Sequence, residues 1–220
     1  MKEVLIFGVG DYARIASVYL RQDSPYKVAA FTADSQFIAA KEFAGLPVVP
    51  FEQILQTHPP DRYSLLVAIG FRRVNKARTE VYERCKAMGY EFISYVNSRA
   101  YQWGNIEVGE NTFIFEANVL QPYVRVGNNC VLWSGNHIGH DSVIEDNCFI
   151  ASHVVISGNC HIGKSCFIGV NATFRDGLVI GDDNVIGAGA VMMKNTEAGA
   201  VYSVRGTEPH RLKSWELTNF

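Results

Sequence analysis

No stretch of the 220-residue chain approaches the roughly 20 consecutive apolar residues that span a bilayer. The opening MKEVLIFG does not have the shape of a secretion signal, so the expected location is the cytoplasm. An excess of one charge is missing too. The 20 Lys and Arg stand against 22 Asp and Glu, and no basic stripe offers a nucleic-acid surface. The five cysteines are an odd number in a chain without a signal, which argues against a disulfide framework. Four of them (Cys130, Cys148, Cys160 and Cys166) share one register with other small residues, where a reduced thiol serves as buried apolar filler.

That register belongs to a six-residue beat. Stepping by six from Val108 reaches Ile114, Leu120, Val126, Leu132, Ile138 and so on to Met192, and every position is large and apolar. Two residues before each lies a mostly small row (Thr112, Cys130, Ser142, Cys148, Ala172, Ala190). One residue after, Gly recurs (Gly109, Gly127, Gly139, Gly163, Gly181). Neither a helix nor a flat strand selects such a period. It predicts a parallel β-helix in which three six-residue strands close an eighteen-residue triangular coil. The hexads begin at Ile106 and fade after Lys194, with room for nearly five coils. Val201–Gly206 offers a last strand, and a charged tail is expected to cap the end.

Residues 1–97 read as a separate α/β domain and 98–220 as the β-helix with its C-terminal cap. Strands are expected at Val4–Phe7, Val28–Phe31, Leu65–Ile69 and Phe92–Val96. Helices are expected from the Gly-rich turn to about Leu20, over Phe51–Gln56 and over Val74–Met88. Gly8-x-Gly10-x-x-Ala13 leaves a strand and opens a helix, as a phosphate-binding turn does, with Asp11 and Tyr12 inside it. Asp34 follows where an acidic group could meet a ribose. Gly70 and Arg72, with Arg73, end the third strand on the same edge, and an arginine there could pair with a pyrophosphate. An unliganded turn and solvated surface arginines are the competing readings. Fewer than a hundred residues make one half of a dinucleotide fold, so a nucleotide or nucleotide-sugar suits it better than NAD.

Chemistry is expected at Gly135-Asn136-His137-Ile138-Gly139-His140-Asp141. The two positions after each hexad Gly form an outward corner, and His140 and Asp141 fill one. An exposed imidazole beside a carboxylate can take a proton near neutral pH. A polar corner with no further role is the alternative.

The [Ile/Leu/Val]-Gly-x-x-x-x pattern resembles the hexapeptide-repeat acyltransferases, which implies a left-handed helix where the usual crossover preference would give the other hand. With the α/β domain ahead of it, the chain resembles the PglD/NeuD-type sugar O- and N-acyltransferases. The matching stretches are Ile6-Phe7-Gly8, Ala68-Ile69-Gly70, His140-Asp141 and Ile162–Asn171. That resemblance implies transfer of acetyl from acetyl-CoA to the amine of a dTDP- or UDP-linked amino-dideoxy sugar, for bacterial surface glycans. His140 would be the general base and Asp141 would raise its basicity. The nucleotide would bind at Gly8, Gly10, Asp11, Tyr12 and Gly70. Acetyl-CoA would lie at Phe149, Gly158, Val170 and Ala188, with the neighbouring Gly169 and Gly187, in a groove between helices of a homotrimer. Trp133 and His137 would sit near that interface. The turn departs from the family, with Asp11-Tyr12 where Gly-His is frequent, as does Gly206-Thr207-Glu208-Pro209 near the C-terminus.

Three other readings share parts of the pattern. O-acetylation of a sugar or serine needs the same base. A scaffold with a decayed nucleotide domain needs none. γ-Type carbonic anhydrases share the solenoid and bind zinc, but no two of His137, His140, His153 and His161 are eighteen apart, so they do not stack on one face of a coil. No metal is expected.

Overall fold

The computed structural model describes residues 2–216. The N-terminal part is a five-stranded sheet built from β1 (Glu3–Phe7), β2 (Val28–Ala33), β3 (Glu42–Phe43), β4 (Leu46–Pro50) and β5 (Tyr63–Val67), in the order β3-β4-β2-β1-β5. Four strands run parallel and β3 pairs antiparallel with β4. The helices are α1 (Asp11–Asp23), α2 (Ile54–Thr57) and α3 (Lys76–Ala87). Ile6 and Val4 pack toward α1, whereas Leu5 and Phe7 pack toward Phe51 and α3, as the period of two demands.

The β3–β4 hairpin departs from the expected order of elements. Its turn, Ala44-Gly45, has both φ values positive (48° and 76°), the geometry of a tight two-residue hairpin. Pro47 and Pro50 disguise β4 as a loop. The expected fourth strand also divides. Phe92 makes a single bridge to Leu65, while Tyr95–Val96 pairs with Phe113–Ile114 and so opens the β-helix instead. Helix α3 starts at Lys76 rather than Val74, because Arg73, Val74 and Asn75 are all left-handed (φ 54°, 51° and 64°).

The coils form three parallel sheets. Face I has seven strands from Tyr95–Val96 to Val201–Tyr202. Face II has six from Tyr101–Gln102 to Val191–Met192. Face III has five from Glu107–Val108 to Val179–Ile180. Partners differ by eighteen residues, as in Val131↔Phe149, His137↔Val155 and Val143↔His161, except at the last pair of face I, Val185↔Val201. The helix therefore begins before the first visible hexad. Gln102 occupies the position eighteen residues before Leu120, and without an aliphatic there the pattern is hidden.

Inside, Ile114 to Ile186 stand fully buried, with Thr112, the four cysteines, Ser142 and Ala172 filling beside them. These small polar groups bond across coils: Thr112 Oγ1 donates to Gly127 O (2.7 Å), Cys148 Sγ to Gly163 O (3.1 Å) and Ser142 Oγ to Ser157 O (3.0 Å). One residue per corner is left-handed, at 111, 117, 123 and every sixth position to 189, which explains the recurrence of Asn, Asp and Gly there. The open end of face III is closed by Asn195 Oδ1, which accepts from Val179 N–H (3.0 Å), and by Thr196 Oγ1, which accepts from Gly181 N–H (3.0 Å). Residues 203–216 are exposed along their length.

The α/β part sits on face I. Tyr12, Tyr19 and Tyr95 pack on Phe113, Phe115 and Trp133. A stacked asparagine column lies at one side: Val67 N–H donates to Asn111 Oδ1, Asn111 Nδ2 to Asn129 Oδ1, and Asn129 Nδ2 to Asn147 Oδ1, each at 2.7 Å. Replacing Asn111 with Leu would strand the Val67 N–H in the interior. A loss of about 1–3 kcal/mol is expected, read from the urea midpoint; an unmoved midpoint would mean the column does not hold the two parts together.

Candidate active site

Three corners join the faces, and they are not equivalent. Asn111, Asn129 and Asn147 mark the corner from III to I, which is covered by β5 and α3. The corner from I to II faces α1. The corner from II to III, which carries His140, Gly158 and Asp176 stacked eighteen apart, is open.

The His140 backbone is fixed on both sides. Its N–H donates to Gln121 Oε1 (2.9 Å) and its carbonyl accepts from Asn159 N–H (2.8 Å). Asp141 is left-handed (φ 57°), which turns its carboxylate back onto the preceding ring. Oδ2 lies 2.9 Å from His140 Nδ1, with both side chains about half exposed. When Nδ1 carries the proton, Nε2 is left as a free acceptor. That nitrogen lies over Gly158, where a Cβ would stand 2.5 Å from it. The Gly158 N–H donates to Asp176 Oδ1 (2.9 Å), so the ring rests on its Cα rather than its amide. The corner thus presents one oriented base with an unobstructed outer side.

The second feature is a cleft of about 350 Å³ where α1 meets the I-to-II corner. Asp11, Tyr12 and Gly70 line it from the α/β side, and Trp133, Phe149 and Val170 from the coils. Gly8 is obligatory there in a different sense: its φ is +133°, and a Cβ would sit 2.7 Å from Ala68 O. Gly10 caps α1 without any side-chain hydrogen bond, which leaves the first-turn N–H groups for an anion. Asp11 is exposed and pairs with Arg14 (3.2 Å). Tyr12 is buried, and burial pushes its pKa up.

Gly8, Gly10, Asp11, Tyr12 and Gly70 are therefore gathered together. Arg72 is exposed on the adjoining loop. Asp34 stands apart, with both carboxylate oxygens accepting from Arg84 (2.6 and 3.2 Å). Of the residues expected at acetyl-CoA, Gly169, Val170, Gly187 and Ala188 lie on the I-to-II corner, while Gly158 lies on the II-to-III corner with the base. Phe149 is only 6% exposed and forms part of the cleft wall. Trp133 belongs to the same wall, against Tyr12 and Phe115, while His137 points out from face II. Among the described residues no three His, Cys, Asp or Glu side chains gather as a metal site, and no helix is long and apolar enough to cross a membrane.

Several residues that shape the cleft carry no motif. Arg78 is fully buried, and Phe71 rests on Phe149 and Phe167 (ring centroids 5.1 and 4.7 Å apart). The left-handed run at 73–75, at about 1–2 kcal/mol for each residue, needs something to hold it. Arg78 could have been suspected from its register, since it shares the spacing of Val81, Tyr82 and Cys85 on the buried side of α3.

Residues 123–158 and 159–194 match the family model of the bacterial transferase hexapeptide. The coils are hexapeptide-repeat coils. No curated protein matches the sequence. Among solved structures, the chain is similar to a histidine-to-asparagine variant of perosamine N-acetyltransferase from Caulobacter crescentus, in complex with CoA and GDP-perosamine. The TM-score is 0.84 at 22% identity, covering 93% of this chain and 94% of that one. The acetyltransferase domain of PglB from Neisseria gonorrhoeae gives a TM-score of 0.81 at 19% identity, over 96% and 100% of the two chains. WeeI from Acinetobacter baumannii gives 0.78 at 20% identity, over 91% and 96%. The shared fold spans both parts of the chain, and the hexapeptide helix is left-handed, since a coil of the other hand could not overlay over this length.

Substituting Gly158 with Ala is expected to displace the His140 ring while the coil stays folded. The ring-proton NMR signals of His140 should move, with the melting temperature near that of the wild type. Unmoved signals would mean the imidazole does not rest on Gly158.

Proposed function

We propose that the chain is an acetyl-CoA-dependent N-acetyltransferase acting in the cytoplasm on the amine of a nucleotide-linked amino sugar. The observation that carries this reading is the His140 imidazole: tied to Asp141 through Nδ1, open at Nε2, and mounted on a hexapeptide helix beside a nucleotide-type turn. The solved relatives lend support, because two of them are described with CoA and GDP-perosamine and one with acetyl coenzyme A. A nucleoside diphosphate would meet the bare N-terminus of α1 at Gly10, with Arg72 on the neighbouring loop. The sugar would extend along the aromatic wall of the cleft. A dTDP or UDP carrier with an amino-dideoxy sugar remains the specific reading, and surface glycan assembly its context.

A sugar amine is largely ammonium at neutral pH and must lose a proton before it can attack. His140 Nε2 accepts that proton as nitrogen bonds to the thioester carbonyl carbon. The negative charge that collects on the carbonyl oxygen is met by a backbone N–H. The carbon–sulfur bond then breaks as the new amide nitrogen gives up its second proton, the CoA thiolate takes that proton up, and the one held by His140 passes to solvent. Asp141 keeps the imidazole oriented through Nδ1. Holding both substrates in place supplies much of the acceleration without a covalent enzyme intermediate.

The cleft and the base lie on different corners, one face apart, which is roughly 20 Å for six residues at about 3.3 Å each. An amine held in the cleft would lie about one face away from Nε2 of its own chain. A second copy with face II against this one would bring its corner to the cleft. A closed ring of three such copies satisfies every chain equally. Acetyl-CoA would then run between Gly158 of one copy and Val170 and Ala188 of the next.

His140→Ala and His140→Asn are expected to cut turnover about 10²–10⁴-fold, with acetyl-CoA binding near the wild-type value. The assay is thiol release with a panel of dTDP-, UDP- and GDP-linked amino sugars. Near-normal turnover in either variant would remove His140 as the base, and no acceptor in the panel would remove the substrate class.

A further inference from the structure

We propose that Arg78 is the positioning residue of the nucleotide cleft: its buried guanidinium holds residues 70–75 in the left-handed shape that builds one wall. The inference rests on the nucleotide reading of the cleft given above. Arg78 is fully buried, and among the described residues no carboxylate lies within ion-pair distance. A charge in that position is costly unless every donor is satisfied. Here all are. Nε donates to Asn129 O (3.2 Å), and Nη2 donates to Asn147 O (2.9 Å) and Cys148 O (3.1 Å). Nη1 donates to Asn75 Oδ1 (3.1 Å) and more weakly to Gly70 O (3.5 Å).

The fork therefore joins two bodies. Three of its donors grip carbonyls of the III-to-I corner, and two grip opposite ends of the 70–75 loop. Asn75 repeats the link one coil further on, donating through Nδ2 to Ser165 O (3.2 Å) and Cys166 O (3.0 Å). Between these anchors Arg73, Val74 and Asn75 are left-handed without a glycine among them, a conformation such residues leave when free. Gly70 and Phe71 line the cleft, and Phe71 sits on Phe149 and Phe167. The guanidinium lies 5.9 Å from the Phe149 ring centroid, beneath the same wall. Lysine would keep the charge but not the planar fork. Of the expected acetyl-CoA positions, only Phe149 and Val170 adjoin this wall, whereas Gly158 lies on another corner.

The test is a rescue. Arg78→Lys is expected to speed amide hydrogen exchange at residues 71–75 and to weaken binding of UDP, dTDP or GDP, read by calorimetry, by about tenfold or more. Acetyl-CoA affinity should fall by clearly less than the diphosphate affinity. Adding Val74→Gly, which makes a positive φ free of steric cost, should slow the exchange and recover most of the lost affinity. Asn75→Ala, which deletes one of the two loop anchors, should reproduce the selective loss if Arg78→Lys fails to fold. The proposal is overturned if Arg78→Lys (or Asn75→Ala in its place) leaves exchange at 71–75 unchanged. It is equally overturned if the double variant, Arg78→Lys with Val74→Gly, is as impaired as Arg78→Lys alone. Should the wild-type protein bind none of the three diphosphates, the nucleotide reading falls by itself, and the exchange measurements alone decide whether Arg78 holds the loop.

Discussion

Stacking of coils every eighteen residues, at the roughly 4.8 Å spacing of paired strands, is the constraint from which the remaining features follow. Any two positions eighteen apart become neighbours in a column, whatever their chemistry. Inside, columns of isoleucine leave space only for Thr, Ser, Cys or Ala beside them, and their hydroxyls and thiols bond to carbonyls of the adjoining coil. At the corners the same spacing creates the asparagine column of Asn111, Asn129 and Asn147. It also decides what can lie under the base. The imidazole of His140 folds over the next residue in its column, and only a residue without a side chain leaves that place open. Gly158 is that residue.

The α/β part exploits only one side of this prism. It covers face I with an aromatic layer and clamps the III-to-I corner through Asn111, Asn75 and Arg78. Faces II and III stay uncovered, and apolar side chains such as Val155, Val179 and Val191 remain 38%, 51% and 67% exposed. The cleft and the base end up on separate corners because the α/β part reaches the first and not the second. On the proposed reading a single chain would hold two half-sites, and the reaction would need a second copy to supply the other half.

Much of this was legible in the residues. The hexad fixes the inward columns, the coil length and the outward place of His140-Asp141, because each depends only on a period that every coil repeats. The Gly8–Gly10 turn was legible for a local reason, a strand running straight into a helix. What escaped notice depends on contacts between distant segments. Gln102 conceals an early coil because it breaks the aliphatic row. Pro47 and Pro50 conceal β4. Arg78 shares the buried register of α3, but what its guanidinium grips shows only where α3 meets the coil carbonyls. The eighteen-residue spacing of Asn111, Asn129 and Asn147 was visible, but its meaning required β5 beside it. Asp34 shows the reverse case, an acid at a suggestive spacing that is engaged by Arg84.

The most direct measurement is complementation between two disabled copies. One carries His140→Ala. The other carries Gly70→Trp, which fills the cleft from a position where an added side chain meets nothing nearby. Each alone should be inactive. Unfolded and refolded together in equal amounts, random assortment around a closed ring should restore about one quarter of wild-type activity, because one in four pairings joins an intact cleft to an intact base. A mixture as inactive as its components would contradict a site shared between copies.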